Sequence, residues 1–451
     1  MIDIFRFILF RKKINPARRI ALGFAALIIA GALLLMLPIA SKTGEVTSFL
    51  TALFTATSAT CVTGLSLVNV GEYFSVFGQA VILVLIQIGG LGFMSVLCFA
   101  FLVSNKQIGI RNRMMIAQSM GLEGLSGVVK FAKHVLYIAL VVELAGAVLL
   151  SVRFIPQFGI IKGIWFSLFH TVSAFCNAGF DLIGDGQSVF SYRYDPLVLI
   201  TLALLIIVGG LGFIVWEDII KKKSFKKLSM YSKLVLISTV ICILAGTVVY
   251  IVFEYNNAGT IGNDSAFHKA LIAFFQSVTT RTAGFDPIGQ KGLTPLSKVW
   301  GIILMMIGGA SGSTAGGVKI GTFTLVILTL CSVMRSERDL VVFGRRIGHR
   351  TILHAMALMV LWFALTVTGA MLVSFVDGHS VLNSMYEVAS AYSTVGLSVG
   401  ISETGSVFTQ ILLIVYMFLG RVGIMTISVL FMIHSGKERG IKYPDGKFIV
   451  G

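Results

Sequence analysis

Four five-residue runs hold the groups best suited to handling an ion: Thr60-Cys61-Val62-Thr63-Gly64, Phe175-Cys176-Asn177-Ala178-Gly179, Thr280-Arg281-Thr282-Ala283-Gly284 and Tyr392-Ser393-Thr394-Val395-Gly396. They offer hydroxyls, thiols, an amide and backbone carbonyls, with Arg281 as their one formal charge. Such a set suits ligation by oxygen, in which backbone carbonyls replace the hydration shell of a monovalent cation. The closing glycine lets the chain take positive φ without steric penalty. Ten positions before each glycine stands an aromatic residue, Phe54, Phe169, Phe274 or Tyr386, and successive glycines are 115, 105 and 112 residues apart. Four near-equal repeats in one chain imply four quasi-equivalent units around an axis. In a chain this apolar, an axis is most simply a pore.

Composition sets the solvent. Hydrophobic residues make up 56% of the 451 and charged residues 12%, against about 25% charged in an ordinary soluble domain. Stretches that meet the roughly 20 apolar residues of a bilayer crossing are read at 20–38, 75–103, 134–152, 196–219, 233–253, 298–334, 353–375 and 408–433. Between the two spans of each repeat lies an apolar segment too short to cross, at 48–59, 163–175, 268–279 and 382–392. Segments of that length suit helices that dip into the bilayer and turn back. Their C-terminal ends then aim a partial negative charge inward, which favours a cation. Irregular backbone at that depth survives only where protein buries it or it lines a wet cavity.

The expected fold is therefore an all-α membrane protein of four tandem helix, pore helix, filter, helix repeats. Eight transmembrane helices and four re-entrant pore helices surround one central pore. The units are read as 20–103, 104–219 with its preceding cytoplasmic loop, 220–334 and 335–433, between an N-terminal cytoplasmic segment 1–19 and a C-terminal tail 434–451. The start shows no cleavable signal layout, so the first helix is expected to stay.

The net charge of +16 raises the question of nucleic acid, but 26 of the 36 Lys and Arg fall in alternate connections. That is the positive-inside pattern. It places both termini in the cytoplasm and the glycine runs in the outer half, and leaves nucleic acid unneeded. Five scattered cysteines give neither a disulfide framework nor a zinc site. No H-E-x-x-H and no strand-to-helix G-x-G-x-x-G occurs. No catalytic pair appears, so no enzyme and no resident cofactor is expected.

These features resemble the Trk/Ktr/HKT superfamily of potassium transporters, most of all its Ktr type. The resemblance covers roughly 16–440 and rests on the four runs, on Ala59 to Leu65 (ATCVTGL) and on Thr279 to Phe285 (TTRTAGF). A second repeated mark supports it: Gly89-Gly90-Leu91-Gly92-Phe93, Gly209-Gly210-Leu211-Gly212-Phe213, Gly308-Gly309 and Gly420-Arg421-Val422-Gly423. The first unit begins almost at once, without the two extra spans of Trk-type relatives. The resemblance implies a homodimer in the cell membrane with one pore per subunit, seated on a cytosolic ring of nucleotide-binding (RCK-type) regulatory subunits. It also implies that the filter residues are Thr60 to Gly64, Cys176 to Gly179, Arg281 to Gly284 and Ser393 to Gly396. Relatives with serine at the position of Gly64 tend toward sodium, so potassium is the expected cargo, with sodium entering as a dependence.

A gate is expected in the third unit. Gly308, Gly309, Ala310, Ser311, Gly312, Ser313, Thr314, Ala315, Gly316 and Gly317 are ten consecutive small residues within an apolar stretch too long for one straight span. Each glycine costs a helix interior about 1 kcal/mol relative to alanine, so five of them predict a break. The resemblance makes that break a loop obstructing the pore below the filter. Arg421 stands where the other units place a glycine and is expected to face the pore there, with Lys319 in the same barrier or snorkelling inward. Arg281 is expected to point behind the filter and pair with an acid such as Glu387. Asp181 and Asp286 either concentrate cations at the outer mouth or serve as ordinary loop acids. The expected function is potassium uptake down the electrochemical gradient. A cation-coupled symporter and the potassium-binding subunit of an ATP-driven pump are the rivals.

Overall fold

The computed structural model describes residues 16–92, 127–183, 188–337 and 339–423. Expectations for 1–15, most of the loop 104–133, the far ends of spans 75–103 and 408–433, and the tail 434–451 lie outside the described residues.

The first unit comprises α1 (Pro16–Leu35), α2 (Phe49–Cys61) and α3 (Val76–Leu91). The second comprises α4 (Val128–Phe158), α5 (Ile160–Phe175), α6 (Pro196–Gly210) and α7 (Phe213–Lys222). The third holds α8 (Met230–Glu254), α9 (Ala266–Thr279), α10 (Pro295–Met306) and α11 (Ile320–Met334). A two-stranded hairpin, Val341–Val342 against Arg345–Arg346, leads into the fourth: α12 (His349–Asp377), α13 (Val381–Tyr392), α14 (Val407–Phe418) and a π-helical turn, Leu419–Gly423.

The short apolar segments between the spans are the helices α2, α5, α9 and α13. Three of them start on a serine whose hydroxyl accepts a first-turn N–H: Ser48 from Thr51, Ser265 from His268 and Ser380 from Asn383. A cap of this kind stabilises a helix by about 1 kcal/mol. The second, α5, follows α4 directly across Gly159, whose φ of 81° reverses the chain in one residue. Of the four repeated aromatics, Phe54, Phe169 and Tyr386 are fully buried and Phe274 is partly so.

The units pack in a closed cycle. The helix after each short helix lies against the next unit's short helix: α3 on α5, α6 on α9, α10 on α13, and α14 back on α2. Large apolar side chains such as Leu144, Val148 and Val152 on α4 are exposed on the outside. Among the described residues α4, α8 and α12 are long and apolar enough to cross a membrane.

Two second spans are broken. The third unit's breaks between α10 and α11, where the glycine-rich stretch predicts it. The second unit's was read as one span over 196–219, and there α6 and α7 meet at a bend of 94°. Gly212, at φ 88°, turns the chain. The backbone groups freed there are taken up by the loop of the third unit: Ala310 N–H donates to Gly210 O at 2.8 Å, and Phe213 N–H to Gly312 O at 2.9 Å. The bend and the loop thus satisfy each other, which hydropathy along one segment cannot register.

Candidate functional site

Each short helix ends in the same way. Two residues before the glycine, a non-glycine residue adopts the left-handed conformation: Val62 (φ 59°), Asn177 (58°), Thr282 (70°) and Thr394 (53°). Asparagine tolerates this region, whereas β-branched residues are outliers there. Conformations of this kind cost of order 1–3 kcal/mol each and cluster at functional sites. The glycines follow at φ 101°, 70°, 85° and 96°. Sequence reasoning found the glycines and missed the strained residues, because nothing in a valine or threonine announces a left-handed backbone.

The four turns meet one another. A Cβ added to Gly64 would stand 2.6 Å from Ala178 O, and one added to Gly179 would stand 2.7 Å from Ala283 O. Gly284 faces Val395 O, and Gly396 faces Thr63 O, in still closer contact. The carbonyl before each glycine therefore abuts the glycine of the preceding unit, and the sequence of contacts closes on itself. Any side chain at these four positions would displace a carbonyl. Buried hydroxyls brace the turns from behind. Ser58 Oγ and Ser390 Oγ accept from the Gly64 and Gly396 N–H groups at 3.0 Å. Ser173 Oγ donates to Phe180 O at 2.7 Å, and Thr279 Oγ1 to Phe285 O at 2.8 Å.

The hydroxyls of Thr60, Thr63, Thr282 and Thr394 and the Asn177 Oδ1 are buried and have no protein partner among the described residues. Buried polar atoms of this kind are rare and ask for an explanation. All five belong to the same four turns as the ring carbonyls.

The paired glycines of the second spans have a common task. A Cβ at Gly89, Gly209 or Gly420 would strike the carbonyl of Thr60, Phe175 or Tyr392, which stand at equivalent places four residues before the ring glycines. In the third unit Gly308 instead meets Gly316 O, within its own loop.

That loop, 308–317, is pinned by neighbours. Ile307 and Val318 bridge its ends. Ser311 N–H donates to Tyr231 Oη at 2.9 Å, and a Cβ at Gly316 would meet Thr394 Oγ1 and Ser393 O. Arg421, 5% exposed, donates to Thr314 O at 2.6 Å and to Gly89 O at 2.5 Å. Lys319 turns back to its own loop, donating to Ala315 O at 2.8 Å.

The pairing of Arg281 with Glu387 does not occur. Arg281 Nη2 approaches Gly308 O at 3.4 Å. Glu387 is fully buried and accepts from Ser398 Oγ at 2.7 Å and from the Val399 and Ser402 N–H groups at 3.0 Å, so it organises the loop after the fourth turn. Those donors already serve the carboxylate. Asp286 is similarly engaged, accepting from Ile288 N–H at 3.0 Å, Gly289 N–H at 2.8 Å and Gln290 Nε2 at 2.6 Å.

On the side of the ring facing these loops lies a cavity of about 570 Å³ lined by all four ring glycines and by Asp181, Asp286, Glu403 and Lys291. Burial pushes the Asp181 carboxyl up to about 7, with hydrogen bonds from Ser188 and Ile183 pulling it down and the nearby Asp286 raising it further.

Apolar helices packed in a cycle around a ring of carbonyls and glycines define a membrane transport protein. The chain belongs to the TrkH family of cation transport proteins, which it matches over residues 20–441. It is thus a transporter and not an enzyme. It is 39% identical to the potassium/sodium uptake protein NtpJ of Enterococcus hirae, over 98% of both chains. It is 37% identical to the Ktr system potassium uptake protein B of Bacillus subtilis, over 97% of both. Its fold is similar to the crystal structure of the potassium transporter TrkH from Vibrio parahaemolyticus, with a TM-score of 0.73 at 18% identity over 93% of this chain and 86% of that one.

Proposed function

We propose that this chain takes up potassium across a bacterial cell membrane through a pore at the axis of the glycine ring, driven by the electrochemical gradient. The observation that carries the reading is the closure of the ring from four stretches of one chain. The Thr63, Ala178, Ala283 and Val395 carbonyls meet there beside unpartnered hydroxyls, in surroundings where oxygen ligands can replace water around a cation. A membrane potential of 100 mV is worth about 2.3 kcal/mol per charge, enough for roughly fiftyfold accumulation at 1.36 kcal/mol per tenfold. The loop 308–317 and Arg421 act as the gate. The names of the relatives, a potassium/sodium uptake protein and a potassium uptake protein of a Ktr system, support potassium as cargo, with sodium involved, and a membrane subunit that works as part of a larger system; we take that system to be a homodimer on a cytosolic nucleotide-binding ring. Both termini face the cytoplasm, as the distribution of Lys and Arg favours.

The test is potassium uptake by proteoliposomes holding this chain under an inside-negative potential, with sodium present or absent, in the parent and in Gly64→Ser. Flux that follows the potential alone, with Gly64→Ser admitting more sodium, is the expected result. Flux that needs a sodium gradient would favour coupled symport, and unchanged cation preference in Gly64→Ser would remove the ring from the ion path.

A further inference from the structure

Thr314 spends every polar atom outside its own unit. Its N–H donates to Gly209 O at 3.3 Å, its carbonyl accepts from Arg421 at 2.6 Å, and its hydroxyl donates to Phe175 O at 3.0 Å. The same hydroxyl oxygen accepts from Asn177 Nδ2 at 2.7 Å. A hydroxyl has one proton to give. With that proton on Phe175 O, only the nitrogen of the Asn177 amide can face Thr314. The orientation of the amide is fixed by the network, and its Oδ1 is the atom left buried beside the ring without a protein partner.

Asn177 occupies the strained position two residues before its glycine, where the other units carry Val62, Thr282 and Thr394. Of these four side chains it alone holds an amide, and it alone reaches the loop through a hydrogen bond. Resting on the reading of the ring as filter and the loop as gate, we infer that Thr314 positions the Asn177 amide, so that the cation preference of the ring depends on where the loop is. With the loop seated, Thr314 holds the NH2 group away and leaves an oxygen for the cation. With the loop withdrawn, the amide loses its anchor and is free to turn its NH2 group, which repels cations, toward the ring. Thr314 is a positioning residue here, and Asn177 Oδ1 is the group that discriminates.

Asparagine suits a left-handed backbone in its own right, so the test must separate that role from the amide. Asn177→Gly keeps the backbone suitability and removes the amide; Thr314→Val keeps the shape and removes the hydroxyl. Rubidium binding at equilibrium and its competition by sodium, which need no withdrawal of the loop, are measured on the purified protein for the full chain, both single variants, the double variant, Thr314→Ser and Gly64→Ser. Each single variant is expected to weaken discrimination against sodium about two- to tenfold, the worth of one hydrogen bond. The double variant should be no worse than the worse single one, since both remove the same contact. Thr314→Ser should restore most of the discrimination. Altered rubidium affinity with parental discrimination in Thr314→Val, or effects that add in the double variant, would overturn the coupling. If Thr314→Val does not fold, Asn177→Gly is placed in a protein lacking Gly309 to Gly316. There it should change discrimination no further, and a full additional loss would overturn the inference. A shift in Gly64→Ser without any effect of the pair removes the coupling alone; no shift in Gly64→Ser removes the filter reading on which it rests.

Discussion

Arg421 and Gly89 lie 332 residues apart in the sequence, yet the guanidinium of one donates to the carbonyl of the other at 2.5 Å. This contact joins the fourth unit to the first, and the same side chain holds Thr314 of the third. Its acceptors are carbonyls rather than a carboxylate, so among the described residues no acid in hydrogen-bond contact compensates the positive charge. Replacing it with glutamine removes the charge and shortens the reach. Hydrogen bonds to charged groups are worth about 1.5–3 kcal/mol each. Arg421→Gln is therefore expected to loosen the loop and raise basal rubidium uptake several-fold, with a lower melting temperature in detergent; slower uptake by a folded variant would contradict the gate role.

Adjacent glycines in α6 should behave oppositely. A Cβ at Gly209 would strike Phe175 O and stand 2.9 Å from Thr314 Oγ1, whereas one at Gly210 meets nothing within 4 Å. Gly209→Ala should destabilise by about 1–3 kcal/mol, the usual cost of overpacking. Gly210→Ala should be neutral or slightly stabilising, since it restricts the unfolded chain. Thermal unfolding of the two purified variants, side by side, decides the matter.

Acidity at the mouth should follow Asp181. With its carboxyl raised to about 7 by burial, it is neutral in acidic medium and ionised in alkaline medium. Raising external pH from about 6 to about 8 thus adds a negative charge to the cavity over the ring and favours cation entry. Uptake at low potassium should rise over that interval, and Asp181→Asn should flatten the rise. An unchanged profile in Asp181→Asn would assign the dependence elsewhere.

Local pattern made much of this architecture readable. The four short helices announce themselves as apolar segments carrying an aromatic residue ten positions before a glycine, and the run from Gly308 to Gly317 is too rich in glycine to remain helical. Three features needed the third dimension. The bend after Gly210 exists because Gly312 and Ala310 of another unit satisfy the freed backbone. The left-handed Val62, Thr282 and Thr394 are imposed by the surrounding ring against their own preference. The partner of Glu387 is the loop Ser398 to Ser402, a local choice that no spacing of opposite charges could reveal.

The ring also bears on how such a protein can change. Where identical subunits build a ring, one altered codon is copied into every quadrant and the symmetry is kept. Here each quadrant is spelled separately, and a single substitution at Gly64, Gly179, Gly284 or Gly396 disturbs one side while three persist. Selection can therefore adjust the ring in quarter steps, and the hydroxyls, thiols and amide that differ among its quadrants are differences that a ring of identical subunits could not hold.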